Sequence, residues 1–142
     1  MSHDLHLVDK AVQDVNIWVK ELDHKMGWAD KKRTLRLLRT ILHALRDRLT
    51  VVEAAHLGAQ LPTLIRVLYY EEWRPAITPV HEYSEAEFLS HLENAFTTDP
   101  IRHPEDAAKA VFDLLEEHVS PGEIEDVKKV LPPKIRALWR TH

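Results

Sequence analysis

Two stretches decide the fold when read together: Leu45–Tyr69, LRDRLTVVEAAHLGAQLPTLIRVLY, and Leu115–Trp139, LEEHVSPGEIEDVKKVLPPKIRALW. Without a gap, Leu45 falls on Leu115, Glu53 on Glu123, Leu61-Pro62 on Leu131-Pro132, Ile65-Arg66 on Ile135-Arg136 and Leu68 on Leu138. Softer matches fill the intervals: Leu49 with Val119, Thr50 with Ser120, Leu57 with Val127 and Tyr69 with Trp139. What recurs is helix grammar. A Thr or Ser stands three places before a Glu, which reads as a capping box, and a Leu-Pro break restarts the helix because proline is tolerated only in a first turn.

Working outward, the same offset carries into the flanks. Leu5, Val8, Val12, Val15, Val19, Leu22 and Met26 recur at three and four, with Trp18 beside them, and predict a first helix over 5–26 with one apolar stripe facing inward. Gly27 is a natural stop, and Asp30 caps a second helix whose inner face is Leu35, Leu38, Ile41, Leu42, Leu45 and Leu49. Thr50–Glu53 opens a third helix to about Ala59, and Pro62 restarts a fourth to about Tyr70. The stretch 71–83, with Pro75 and Pro79 and no sustained period, reads as a linker. Ser84–Glu87 is another capping box, opening a helix whose Phe88, Leu89, Leu92 and Phe96 take the places of Trp18, Val19, Leu22 and Met26. Pro104 opens a sixth helix, Ser120–Glu123 caps a seventh and Pro132 starts a short last one. The expectation is therefore all-α: two tandem pseudo-symmetric repeats (about 5–70 and 84–140) packed as one domain of about eight helices over 1–142. A repeat that buries one face needs a neighbour, and with two copies each serves the other.

Composition narrows the function. The chain has 142 residues, no cysteine and three glycines. The absence of cysteine excludes a disulfide framework, a thiolate nucleophile and Cys-ligated zinc. No apolar run reaches the ~18–20 residues a membrane span needs, and the N-terminus lacks a signal-peptide pattern, so a soluble cytoplasmic protein is expected. The net charge of −4 is split. Residues 1–70 carry 11 Lys+Arg against 8 Asp+Glu, a balance of +3, and residues 71–142 carry 8 against 15, a balance of −7. Halves of opposite sign attract each other or face different partners.

HALRDRL at 43–49, EAAHLGAQLP at 53–62, LYYEEWRP at 68–75, SPGEIEDVKKVLP at 120–132 and ALW at 137–139 together resemble the bacterial family called domain of unknown function 2267. The resemblance covers nearly the whole chain. It implies a small helical cytosolic protein and transfers no catalytic or ligand-binding residue.

Four groups of residues could carry chemistry. Lys32, Arg36, Arg39, His43 and Arg46 share one face of the second helix, away from the leucines. They could contact phosphates, or form a solvated face that pairs with the acidic half. The equivalent positions Arg102, Asp106, Lys109, Asp113 and Glu116 are largely acidic, which favours complementarity between surfaces. Glu21-x-x-His24 and Glu53-x-x-His56 have the spacing of carboxylate-bridged metal bundles. The second copy gives Glu123-x-x-Asp126, and the capping boxes already employ both glutamates, so no metal and no cofactor is expected. Tyr69, Tyr70, Trp73 and Trp139 could stack on bases or on a partner helix, or close the core at the ends of short helices, the reading preferred for rings of this area. Arg66 and Arg136, equivalent across the copies, read as structural anchors for helix-end carbonyls or a carboxylate. There is no phosphate-cradling glycine loop, no Gly-x-Ser-x-Gly and no His-Glu-x-x-His. The expected function is a non-enzymatic interaction module that binds another protein or a second copy of itself; the alternative is a nucleic-acid-binding or regulatory protein using the basic face.

Overall fold

Side-chain caps set four of the eight α-helix starts among the described residues. The structure, a computed structural model, describes residues 2–139, with side chains from Leu5 onward; the last residue of the expected second repeat, 140, lies outside the described residues. The helices are α1 (Ser2–Met26), α2 (Lys31–Arg46), α3 (Val51–Ala59), α4 (Thr63–Tyr70), α5 (Glu85–Ala95), α6 (Pro104–His118), α7 (Pro121–Val130) and α8 (Pro133–Arg136). A single 3-10 turn at Pro75–Ile77 interrupts the linker, and there is no strand among the described residues. Asp30, Thr50, Ser84 and Ser120 each accept a hydrogen bond from the backbone N–H three residues on, satisfying an amide that a helix start leaves unpaired. Gly27 ends α1 at φ 66°, where its N–H donates to the Asp23 carbonyl at 2.8 Å. That is the left-handed cap for which glycine carries no steric penalty.

The second-half helices begin seventy residues after positions that lie in α1, at the start of α2, and at the first residues of α3 and α4. Burial follows the same offset. Trp18 and Phe88, Leu22 and Leu92, Ile41 and Val111, Leu45 and Leu115, Leu57 and Val127, Ile65 and Ile135, and Tyr69 and Trp139 are all buried. These side chains belong to one continuous core. The packing pairs cross between halves: α1 lies on α2, α4 and α6, while α5 lies on α2, α6 and α8. In addition α2 packs on α6, and α3 on α7.

The first helix departs from expectation. Val19 and Leu22 are buried, but Leu5, Val8 and Val12, expected to face inward, are 62%, 59% and 46% exposed. The reason is length. At 1.5 Å per residue the 25 residues of α1 span about 37 Å, whereas the 16 residues of α2 span about 24 Å. Among the described residues little covers Leu5, Val8 and Val12 on the early turns of α1. Leu35 is also only half-buried; Leu37, one step round α2, takes the fully buried place.

Two of the three expected capping boxes do not close. The reciprocal bond forms at Ser84–Glu87. At Thr50–Glu53 and Ser120–Glu123 only the hydroxyl cap is made, at 3.2 and 3.3 Å, and the glutamate side chains turn elsewhere. Their destination is the seam between α3 and α7.

Candidate functional site

The five residues of the basic face on α2 are held in different ways. Arg36 grips Asp99 with two bonds, 2.8 and 2.9 Å, and lies over the Phe96 ring at 4.6 Å. Arg39 pairs with Glu71 at 3.0 Å. His43 donates from Nε2 to the Leu68 carbonyl at 2.6 Å. Burial pushes its pKa below the usual imidazole range, partly offset by that bond. Arg46 is 2% exposed and donates to the carbonyls of Tyr69 and Glu71 at 2.7 and 2.6 Å, with Asp47 beside it at 2.9 Å. Lys32, at the start of the helix, is exposed. The helix therefore anchors the end of α4, the linker and the loop after α5, with Arg33 joining Arg36 at Asp99. Further pairs bridge the halves at Lys25–Glu117 and Glu21–His118, where His118 stacks on Trp18.

Arg66 and Arg136, seventy residues apart, do similar work. Arg66 donates to the carbonyls of Gly58, Ala59 and Leu61, at 2.8, 3.2 and 2.9 Å, and Arg136 donates to the Leu131 carbonyl at 3.0 Å. Both tie down the Leu-Pro break, where the end of one helix exposes carbonyls that the next cannot use. The aromatic group is core. Tyr69 is fully buried and donates its hydroxyl to the Ala54 carbonyl at 2.7 Å; Trp139 stacks on Phe112 with centroids 4.3 Å apart and donates to Glu116. Tyr70 and Trp73 are half-buried and pack against each other.

The seam between α3 and α7 is where unmatched polarity collects. Each helix contributes the glutamate of its first turn, because Thr50 and Ser120 cap at the same offset and set the same rotation. Glu53 is 9% and Glu123 8% exposed, and the Oε2 atom of each has no hydrogen-bond partner. His56, one turn along α3, brings a ring nitrogen to within 4.8 Å of oxygens from both. Asp126 holds the equivalent place on α7 and is exposed. Loss of solvent, a hydrogen bond shared with Glu53, and the negative charges of Glu53 and Asp126 push the Glu123 carboxyl up to about 8. Burial and the facing carboxylate keep the Glu123 carboxyl protonated through neutral pH, and that carboxyl is hydrogen-bonded to Glu53. Beside them Gln60 makes two hydrogen bonds with Ser120: its Nε2 donates to Oγ at 3.1 Å, and the Ser120 N–H donates to its Oε1 at 3.0 Å.

Sequence reasoning assigned Glu53 and Glu123 to capping boxes and so missed this pairing. The available signal was the offset itself. Glu53 and Glu123 stand at one position of the seventy-residue offset, and the helices that carry them, α3 and α7, pack on each other.

The fold and seam define a class: an all-helical protein in which α3 and α7 meet over a buried carboxylate pair. The chain belongs to the family described as Uncharacterized conserved protein (DUF2267), which matches residues 15–138. The exposed first turns of α1 precede the matched residues. A comparison with curated proteins finds no match.

Proposed function

We propose that this protein is a non-enzymatic helical interaction module of the bacterial cytosol, built from two tandem repeats about a pseudo-two-fold axis, with the projecting part of α1 as its docking element. The crossed packing of α1 on α6 and α5 on α2, with α2 on α6 and α3 on α7, supports the pseudo-symmetry. The observation that carries the docking reading is the exposed stripe Leu5, Val8 and Val12, which continues the buried stripe of Val19 and Leu22 at heptad spacing. An apolar a/d seam that outruns its own domain is completed by another helix. A second copy of α1 is the partner that supplies a matching seam.

The alternative, nucleic acid on the face of α2, would require Arg36, Arg39 and Arg46 to leave the carboxylates and carbonyls that hold them. The docking reading is tested by light scattering on the wild type and on Leu5→Glu with Val8→Glu. A dimer that becomes a monomer with unchanged helix content supports it. A wild type that stays monomeric up to its solubility limit refutes self-docking.

A further inference from the structure

We propose that Glu53, His56 and Glu123 form a binding site for one divalent first-row transition cation, which ties α3 to α7. The inference is independent of the docking role of α1. Three observations carry it. Ligand atoms of the three residues lie within 4.8 Å of one another. Both glutamates are more than nine-tenths buried, and each leaves Oε2 without a hydrogen bond. Among the described residues no Lys or Arg forms an ion pair with either carboxylate.

A buried carboxylate oxygen with neither a donor nor a counter-charge is costly, and there are two here. A shared proton answers only part of this, since it bridges one oxygen from each. A cation placed among the three groups satisfies both carboxylates together and uses the imidazole as well. Two carboxylates and one imidazole suit manganese, iron or zinc; calcium would need six to eight oxygens, and magnesium prefers to keep several waters. His56 is exposed, which leaves the mouth of the site open for the ion to enter and for water to complete its coordination.

The other carboxylate–histidine group, Glu21, Glu117 and His118, is less buried and already engaged: Lys25 pairs with Glu117, and His118 with Glu21. It serves as the internal control.

Manganese is the probe, because isolated surface imidazoles hold it weakly and the chain has ten histidines. Metal-stripped full-length protein is titrated with Mn²⁺ while free ion is followed by electron paramagnetic resonance. The expected result is one ion per chain, with affinity reduced at least tenfold in Glu123→Gln and in His56→Ala and unchanged in Glu117→Gln. Circular dichroism melts confirm that each variant is folded; His56, on the surface, is the variant least able to disturb folding. A second readout is the X-ray absorption of the zinc-loaded protein, expected to show an oxygen and nitrogen shell with a single imidazole. Failure to bind at one-to-one stoichiometry, loss of binding in Glu117→Gln in place of the seam variants, or equal affinity in all of them would each overturn the proposal and leave the pair as a proton-sharing contact.

Discussion

Replacing Glu123 with glutamine in metal-free protein should raise stability at alkaline pH and leave it unchanged in acid. The Glu123 carboxyl is raised from 4.5 to about 8 by burial and by Glu53 and Asp126. The sign follows from which state holds the proton more tightly. Below pH 4.5 the group is protonated folded and unfolded alike, and the seam carries no penalty. As pH rises toward 8 the unfolded chain gives up its proton while the folded one retains it, so stability falls through that window and stays low above it. At 1.36 kcal/mol per pKa unit the full displacement corresponds to a ceiling of about 5 kcal/mol. Water reaching the seam past the exposed His56 screens the charge, so about 2–4 kcal/mol is expected at pH 9. For a chain of this size that is roughly 6–14 °C in Tm. Glutamine keeps the shape, carries no charge, and its amide can donate to Glu53. The assay is thermal unfolding by circular dichroism at pH 4, 7 and 9 with a chelator present, wild type against Glu123→Gln. His43, whose lowered pKa removes stability at acid pH, is common to both proteins and cancels in the difference. A variant no more stable than the wild type at pH 9, or equally stabilised at pH 4, would refute the reasoning.

Three further outcomes follow from the packing. In Gly58→Ala the added Cβ would stand 2.3 Å from the Tyr70 hydroxyl and 2.7 Å from its ring, which Trp73 backs. The clash outweighs the helix-propensity gain of about 1 kcal/mol, so chemical denaturation should show a net loss of about 1–2 kcal/mol. Arg46→Met removes the bonds to two carbonyls from a buried site and should cost about 2–4 kcal/mol, whereas exposed Lys32→Ala on the same helix should stay within about 0.5 kcal/mol of wild type; the two are compared by urea unfolding. Arg66→Met frees three carbonyls at the Leu-Pro break and should cost about 1–3 kcal/mol, with faster amide exchange at the end of α3 as the local sign.

Much of the fold was legible because it is written in local terms. Thr50, Ser84 and Ser120 cap helices wherever the chain places them, since the bond they make spans only three residues. The Leu-Pro breaks and the buried leucines at the seventy-residue offset likewise depend on chain geometry alone. The role of Arg66 was legible for the same reason: the carbonyls it holds lie five to eight residues away.

The errors share a cause. The stripe of Leu5, Val8 and Val12 has the spacing of a core face, but spacing says nothing about whether a neighbour is long enough to cover it, and α2 is not. The basic stripe of α2 is a different case: pairing with the acidic half was one of its two readings, and the particular partners, Asp99, Glu71 and the end of α4, are contributed by distant segments that no local pattern names.

The stretch Leu45–Tyr69 and its counterpart seventy residues on determined by themselves the helices, their hydroxyl caps and their breaks. Only the tertiary structure decided that Glu53 and Glu123 leave their capping boxes and meet, because that depends on α3 packing against α7 across 70 residues of chain. A hydrogen bond within one turn can be read from sequence. The electrostatics of two carboxylates depends on which surfaces close over them.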